Sequence, residues 1–372
     1  MDDRPTEATV HLGAIRANYA EACRRAGTRS VIAVVKADAY GHGAGPVARA
    51  LVDAGCPRLA VATVAEGLEL RSAGIAVPIL VLGGVGDGAP YALRARLTPV
   101  VHHRGHVERL RKLASPEVPL AVHVEVDTGM RRMGAPPDEA VGVLAAVAAE
   151  PALALEGVFT HFARADEPDP GPTLEQAALF RDVLARARER GAAAARLVHC
   201  ANSAALCLGR VLDAALPEAN AVRPGVLLYG VPPTPRLAPA LRPAMTLRTR
   251  IAHLRAVRPG EAVGYSALWR ASRATRIATL PIGYADGVPI SASGRGAALI
   301  RGRRHLFSGR VSMDFVTVDV GDAPVEIGDE AILFGAAEQG ALPVEEAAAA
   351  AGTIAYELLV RVGARVRRVY AE

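Results

Sequence analysis

Short apolar runs alternate with amphipathic segments through the first 230 residues of the chain. The runs have the length and the β-branched composition of buried strands, and they lie at 31–35, 59–62, 79–82, 98–101, 120–126, 154–159, 196–200 and 222–228. Between most of them, apolar residues recur at helical spacing, for example at 12–26, 43–54, 64–72, 103–113, 136–149 and 173–190. This alternation predicts an α/β fold with a parallel (β/α)8 barrel of the TIM type, and an open doubly wound sheet is the alternative.

The pattern changes after a proline-rich stretch at 231–243, which is typical of a linker. Beyond it the apolar runs are short, β-rich and separated by Gly, Pro and Asp turns, with one alanine-rich helix near 343–351. This half is predicted to be a mostly-β C-terminal domain. We therefore expect an N-terminal strand within 1–10 that pairs with the β domain, a barrel at 11–235 and the β domain at 236–372.

Composition narrows the class of protein. With 372 residues, 51% hydrophobic and 22% charged, the chain is globular rather than disordered. Its net charge of +5 comes from scattered arginines, so no nucleic-acid partner is expected. The four cysteines form no Cys-x-x-Cys pair and the histidines lack metal-ligand spacing, so no metal is expected either. The start of the chain has no signal peptide and no stretch resembles a membrane span, which indicates a cytoplasmic protein without a membrane partner.

A lysine stands at the end of the first predicted barrel strand. The chain has only two lysines, Lys36 and Lys112, among 43 basic residues. Arginine stays protonated, whereas a buried lysine can lose its proton and act as a base or as a Schiff-base nucleophile. The alternative is a lysine that ends the strand and extends to water. The chemistry of the residue alone leaves both interpretations open.

Polar residues follow several predicted strands, at the end of a barrel where active sites lie. They are Lys36 and Tyr40 after the first strand, Arg131 and Arg132 after the fifth, His161 after the sixth, Asn202 and Ser203 after the seventh, and Arg223 near the eighth, where the backbone amides of Gly225 and Val226 follow it. Hydroxyl groups and backbone amides in the last two barrel loops commonly bind phosphate. The set therefore predicts one active site with room for a phosphate group.

The sequence around Lys36 resembles the cofactor-lysine motif of alanine racemases, which use pyridoxal 5'-phosphate. The motif is Val-Val-Lys-Ala-Asp-Ala-Tyr-Gly-His-Gly at 34–43. Four segments of the second half also resemble alanine racemase motifs: Val-Gly-Tyr-Ser at 263–266, Pro-Ile-Gly-Tyr-Ala-Asp-Gly at 281–287, Gly-Arg-Val-Ser-Met-Asp at 309–314 and Thr-Ile-Ala-Tyr-Glu at 353–357. The resemblance covers about residues 6–370, with both domains in the family order.

The resemblance implies a homodimer that interconverts L-alanine and D-alanine and supplies D-alanine for peptidoglycan. Each active site would combine the barrel of one subunit with the β domain of the other. The implied cofactor-binding residues are Lys36, which bonds covalently to pyridoxal phosphate, His161 on the pyridine ring, Arg223 at the ring nitrogen, and Tyr40, Ser203, Gly225, Val226 and Tyr356 around the phosphate. Lys36 and Tyr265 are the implied catalytic pair, with Tyr265 donated across the dimer. Arg132 and the backbone of Met313 are implied to bind the substrate carboxylate.

One position departs from the family pattern. Many alanine racemases carry a carbamylated lysine seven residues before the motif arginine, where its negative charge braces that arginine, and here the position is Glu125. We expect the Glu125 carboxylate to supply this charge to Arg132, directly or with the help of water, an anion or Arg131. The alternative is a strand carboxylate that pairs with any nearby arginine.

Three alternative functions share parts of this sequence pattern. A pyridoxal-phosphate decarboxylase would place a carboxylate where Arg223 stands, and a non-catalytic carrier of the cofactor would lack the domain with Tyr265. A serine racemase or a racemase of broader specificity differs only in a few side chains at the mouth of the pocket. Arg164, three residues after His161, is a candidate for one of these side chains.

Overall fold

The computed structural model describes residues 4–192, 195–233 and 241–372. The chain begins with strand β1 (Glu7–His11), which leads directly into helix α1 (Leu12–Ala26). The predicted domain boundary at 235/236 and two prolines of the predicted linker, Pro235 and Pro239, lie outside the described residues. The division into three segments therefore stays a prediction.

Eight parallel strands close into a barrel. They are β2 (Ser30–Val34), β3 (Arg58–Val61), β4 (Ile79–Val81), β5 (Thr98–Val101), β6 (Leu120–Val126), β7 (Leu153–Thr160), β8 (Leu197–Ala201) and β9 (Ala221–Val222). Strand β9 closes the ring against β2, with Ser30 opposite Ala221 and Val31 opposite Val222. The barrel prediction is thus confirmed, and the open doubly wound sheet is excluded.

The barrel strands are largely apolar because a parallel sheet covered by helices is buried on both faces. Inside the barrel lies a small cluster of Ile32, Val34, Ala60, Leu80, Val100, Phe159, Leu197 and Ala221. Outside it, a larger cluster fills the space beneath the helices. These are α2 (Lys36–Gly41), α3 (Ala44–Asp53), α4 (Val64–Ser72), α5 (Ala89–Arg94), α6 (Arg104–Arg111), α7 (Pro137–Ala148), α8 (Gly171–Glu189), α9 (Ser203–Leu206) and α10 (Arg210–Ala215).

The last barrel strand is much shorter than the predicted run 222–228. Strand β9 ends at Val222, and the apolar residues Val226–Tyr229 form a 3-10 turn instead. Pro224 has no amide hydrogen for a ladder, so it ends the strand where Arg223 leaves it. The carbonyl of Pro224 still accepts a hydrogen bond of 3.0 Å from the amide of Val34. The interruption places Arg223 and Gly225 at the mouth of the barrel.

The second domain is built mainly of antiparallel strands. They are β10 (Met245–Arg250), β11 (His253–Val257), β12 (Ala262–Val263), β13 (Trp269–Arg270), β14 (Thr275–Leu280), β15 (Ala297–Ile300), β16 (Arg303–Leu306), β17 (Val316–Asp319), β18 (Glu330–Ala337), β19 (Gly340–Leu342) and β20 (Arg367–Ala371). Helices α11 (Val344–Ala351) and α12 (Ala355–Val360) precede β20. The mostly-β prediction is confirmed.

The N-terminal strand belongs to the sheet of the second domain. Strand β1 lies between β10, to which it is antiparallel, and β20, to which it is parallel. The sheet runs β16-β15-β18-β10-β1-β20, so both ends of the chain meet in it. Glu7 pairs with Arg248 on one neighbouring strand and with Arg367 on the other. As a result the C-terminal strand β20 lies beside the start of helix α1. In the part of the chain that the structure describes, no helix combines the length and apolar character needed to cross a membrane.

Candidate active site

A cavity of about 510 Å³ opens at the carboxyl end of the barrel strands. Nine of the residues predicted from sequence line it: Lys36, Tyr40, Arg132, His161, Ser203, Arg223, Gly225, Val226 and Tyr356. Eight come from the barrel, and Tyr356 comes from α12 of the C-terminal domain of the same chain. The cavity therefore brings together most of the predicted site, as expected where parallel strands end.

Lys36 enters this cavity from an unusual backbone turn. The four residues Ala37, Asp38, Ala39 and Tyr40 all have φ between 52° and 53°, which makes α2 a left-handed turn. For L-residues other than glycine this conformation costs roughly 1–2 kcal/mol per residue. The sequence pattern predicts a helix only from residue 43 onward, so the left-handed turn before it is a finding of the structure.

Neighbouring groups hold the turn in this conformation. The carboxylate of Glu66 accepts a hydrogen bond of 2.7 Å from the amide of Ala37, and Asp38 accepts one of 2.6 Å from the amide of Ala44. The ring of buried His42 lies within hydrogen-bonding distance of the Ala39 carbonyl at 3.0 Å. A strained backbone persists only where its surroundings over-determine it, and here they do.

The surroundings of the Lys36 amine favour its neutral form. Burial lowers the pKa of Lys36, the positive charge of Arg132 lowers it further, and the charge of Glu66 acts in the opposite direction. A lysine whose pKa is lowered loses its proton more readily and is therefore a better nucleophile and base than an ordinary lysine.

Tyr40 and Ser203 shape one side of the cavity. The Tyr40 ring stacks on Tyr229 with 4.7 Å between ring centroids, and a Cβ atom at Gly225 would meet the Tyr40 hydroxyl. The Ser203 hydroxyl accepts hydrogen bonds from the amides of Gly225 at 2.9 Å and Leu227 at 3.3 Å. Gly225 is thus required by close packing, and Ser203 fixes the loop after β9 against the start of α9.

Arg223 starts a chain of hydrogen bonds through the barrel interior. Its Nη1 donates to Nδ1 of His199 at 2.6 Å, and Nε2 of His199 lies 2.7 Å from Nδ1 of His123. Nε2 of His123 lies 3.4 Å from Oε2 of Glu156. A guanidinium can only donate, so the chain fixes both histidines with the proton on Nε2. The chain ends on Glu156, which forms an ion pair with Arg58 at 2.6 Å.

These histidines stay neutral in the folded chain. Burial and the charge of Arg223 hold the pKa of His199 well below its ordinary value. Burial, Arg223 and Arg132 lower the pKa of His161 to about 3. Burial also lowers the pKa of Arg223 to about 10, which leaves it charged at neutral pH. Arg223 and Arg132 thus give the cavity two guanidinium groups, beside which an anionic group fits.

Tyr265 and Met313 do not line this cavity. Both lie in the C-terminal domain, where Tyr265 is 70% exposed and Met313 is 51% exposed. Tyr265 stands in a turn in which Ser266 and Ala267 have φ of 61° and 49°. The turn displays the Tyr265 ring on the surface, so these two residues and the cavity of the same chain are not brought together.

Glu125 is buried and faces a histidine. Its Oε2 lies 3.0 Å from Nε2 of His102, and both side chains are less than a tenth exposed. Although Glu125 and Arg132 line the same cavity, no ion pair joins them among the described residues. The expected direct contact between Glu125 and Arg132 is therefore not formed, because the carboxylate is turned toward β5, whose end is followed by His102.

Several residues at the site were not predicted from sequence. Glu66, which supports the turn after Lys36, was signalled by the capping box Thr63-Val64-Ala65-Glu66 at the start of α4. His123 and His199 gave no local signal, because they come from different strands. Arg164 forms an ion pair with Glu167 on the surface, and its neighbours Ala163 and Asp166 line the cavity instead.

Comparisons with known proteins agree over the whole chain. Residues 10–233 match the family "Alanine racemase, N-terminal domain", and residues 244–370 match "Alanine racemase, C-terminal domain". A protein of Sorangium cellulosum named alanine racemase is 44% identical, with 99% of this chain and 100% of that protein covered. A second, from Desulforamulus reducens, is also 44% identical, with 98% of this chain and 99% of that protein covered.

Solved structures give the same result. An alanine racemase from D-cycloserine-producing Streptomyces lavendulae superposes with a TM-score of 0.93 and 39% identity, covering 100% of this chain and 98% of that one. An alanine racemase from Bacillus anthracis with bound L-Ala-P superposes with a TM-score of 0.90 and 34% identity, covering 99% of this chain and 95% of that one.

The neutral buried histidines predict that mild acid destabilises the fold. Unfolded histidine binds protons near its ordinary pKa of about 6.5, whereas burial and Arg223 keep His199 and His161 neutral when folded. Because the unfolded chain then binds more protons, the free energy of unfolding should fall below pH ~6.5. The expected slope is up to about 1.4 kcal/mol per pH unit for each histidine that stays neutral. Urea unfolding at several pH values, followed by circular dichroism, measures it.

A pair of variants tests whether His199 contributes to this pH dependence. His199→Asn should reduce the slope of unfolding free energy against pH by the contribution of one histidine. His253→Asn, at an exposed position on β11, should leave it unchanged. The same slope in wild type and in His199→Asn would contradict the assignment.

Proposed function

The chain belongs to the alanine racemase family and is an amino-acid racemase, and we propose that it interconverts L-alanine and D-alanine with two bases, Lys36 and Tyr265. The observation that carries the proposal is a half-buried lysine, on a held left-handed turn, in a cavity that also contains two arginines. We further propose that the D-alanine product is used in peptidoglycan.

The cofactor we propose is pyridoxal 5'-phosphate, and the cavity fits it in three respects. It holds an amine whose pKa is lowered, two guanidinium groups that attract an anion, and a side free of side-chain bulk at Gly225. Lys36 would bond to the cofactor, His161 would pack on its ring and Arg223 would face the ring nitrogen. The groups proposed for the phosphate are Tyr40, Ser203, Gly225, Val226 and Tyr356, which share this cavity.

Racemisation needs a proton donor and acceptor on each face of the substrate carbon. When bound, the cofactor supplies an electron sink that acidifies the hydrogen on Cα. A single side chain does not easily reach both faces, so two bases are expected. We assign the D-alanine face to Lys36 and the L-alanine face to Tyr265. Arg132, the cation beside Lys36 in the cavity, would bind the substrate carboxylate together with the backbone of Met313.

Arg223 limits side reactions in this proposal. Its guanidinium is fully enclosed, and the hydrogen bonds to His199, to the carbonyl of Thr160 and to His161 fix its orientation. Because it donates and does not give up a proton, a ring nitrogen facing it stays largely unprotonated. An unprotonated ring is a weaker electron sink, which disfavours transamination, decarboxylation and aldol cleavage.

We propose that the active protein is a homodimer with shared sites. Tyr265 and Met313 are needed at the cavity but lie exposed elsewhere on the same chain. Exposed apolar side chains occur in the same domain: Leu268 at 62%, Phe315 at 48% and Tyr284 at 41%. A second subunit that covers these side chains would bring its Tyr265 to the cavity of the first.

Lys36 should carry the cofactor. Borohydride reduction of the purified protein should leave a pyridoxyl group on the peptide that contains Lys36, because that amine lies in the cavity and is easily made neutral. Peptide mass spectrometry measures it. The second lysine of the chain, Lys112, is the internal control, and a pyridoxyl group on Lys112 or on no lysine would overturn the assignment.

Tyr265→Phe should retain the bond between Lys36 and the cofactor and lose racemisation by about 10²–10⁴-fold, the usual contribution of a general acid or base. The variant should still exchange the α-hydrogen of D-alanine with deuterated solvent, since that face belongs to Lys36. Tyr91→Phe, at a position on α5 that is 54% exposed, is the matched control. Near-normal racemisation by Tyr265→Phe would refute the role.

Mixing two inactive variants tests the shared site. After subunit exchange, Lys36→Ala with Tyr265→Ala should regain about a quarter of wild-type activity, since half of the dimers are mixed and each has one intact site. Lys36→Ala mixed with Arg132→Ala should regain nothing, because both residues lie in the same cavity. No recovery in the first mixture, with exchange demonstrated by light scattering of tagged subunits, would count against shared sites.

A further inference from the structure

The left-handed turn after Lys36 is held from the far end of the chain. Arg368, on β20, donates from Nε and Nη2 to the carbonyl of Gly41, each at 3.2 Å. Its Nη1 also donates to the carbonyl of Val366 at 2.8 Å and to that of Gly363, and its Nη2 donates to the carbonyl of Val362. One guanidinium thus joins the end of the turn to the loop between α12 and β20.

The C-terminal segment also contacts the end of the turn at two glycines. A Cβ atom at Gly41 would collide with the carbonyl of Leu359, and one at Gly43 would collide with the hydroxyl of Tyr370. The C-terminal segment therefore packs directly on bare backbone at both glycines. On the cavity side, the rings of Tyr40 and Tyr356 lie 6.4 Å apart. The end of the turn therefore packs between α12 and β20.

The turn needs such support because its residues do not favour the conformation. Ala37, Ala39 and Tyr40 have no side chain that stabilises a positive φ, and the conformation fixes the direction in which Lys36 and Tyr40 point. Glu66 accepts a hydrogen bond from the amide of Ala37, the first of the turn. The ring of His42 contacts the carbonyl of Ala39, the third residue of the turn. Arg368 holds the last carbonyl, that of Gly41, which completes the support.

We propose that Arg368 is a positioning residue for racemisation, which keeps the turn left-handed through the Gly41 carbonyl and so holds Lys36 and Tyr40 in place. The inference rests on the proposed function. It makes the β domain of each chain a support for the barrel site of the same chain, in addition to the proposed donation of Tyr265 to the other subunit.

The geometry calls for arginine rather than for any cation. The guanidinium presents five N–H donors in a fixed planar fork, and here it serves four carbonyls at once. An ammonium is a single point of positive charge on a flexible chain and cannot span the same set. Arg367 next to it offers a contrast, because it is 60% exposed and pairs with Glu7 at 2.8 Å on the opposite side of the strand.

The test compares Arg368→Met, Arg368→Lys and the matched control Arg367→Met as purified holoenzymes. The first readout is the dissociation constant of pyridoxal phosphate, from the loss of cofactor absorbance on dilution. Arg368→Met should weaken it by about tenfold or more, the lower end of what a hydrogen bond to a charged group contributes. Arg368→Lys should fall between wild type and Arg368→Met, and Arg367→Met should match wild type.

The second readout separates positioning from general stability. If Lys36 is displaced, proton transfer at Lys36 becomes more rate-limiting. The primary isotope effect with α-deuterated D-alanine should then rise, and that with α-deuterated L-alanine should fall. A purely structural role would lower both rates through loss of active protein and leave the two isotope effects unchanged.

The outcomes are distinguishable. Unchanged isotope effects and cofactor affinity in Arg368→Met would overturn the proposal. If Arg368→Met does not fold, Arg368→Lys decides by the same two readouts, and wild-type values in it would overturn the proposal. Failure of the proposed function would show differently, as wild type and Arg367→Met that neither hold the cofactor nor racemise alanine.

Discussion

The site depends on the repulsion between the Lys36 amine and the Arg132 guanidinium, which line the same cavity. Burial and the charge of Arg132 both disfavour the protonated form of Lys36, and the charge of Glu66 only partly offsets them. A positively charged amine would be a poor nucleophile and a poor base. The charge of Arg132 that favours the neutral amine also favours an anionic group in the cavity. One arrangement of charge therefore serves binding and reactivity together.

This arrangement of charge depends on where the barrel strands end. Strand β2 delivers Lys36, Pro224 ends β9 so that Arg223 lies at the barrel mouth, and the interior histidines hold the guanidinium in one orientation. Glu66 and Arg368 support the turn that follows Lys36 from two sides. The site is thus built on the barrel, while its rigidity depends also on a domain that contributes little surface to the cavity.

Some of this could be predicted from the sequence and some could not. The barrel and the gathering of polar residues at strand ends follow from periodicity, because most apolar runs end where their strands end. The run at 222–228 is the exception, since β9 ends at Val222. The left-handed turn could not be predicted, since Ala37, Ala39 and Tyr40 carry no preference for positive φ and only distant contacts enforce it. The contact of Glu125 with His102 could not be predicted for a similar reason. Its neighbour His102 follows an adjacent strand, and sequence order alone does not show which side chain meets the carboxylate.

The most direct test of the account is a measurement of Lys36 protonation in the cofactor-free protein. The chain has only two lysines, so growth with lysine labelled with 13C at the ε-carbon gives two signals, and Lys36→Arg assigns them. The account predicts that the Lys36 signal titrates below the ordinary lysine pKa of about 10.4, because the pKa of Lys36 is lowered by burial and by Arg132. In Arg132→Met its titration should move back toward that ordinary value. A Lys36 signal that titrates at or above the ordinary value would contradict the account.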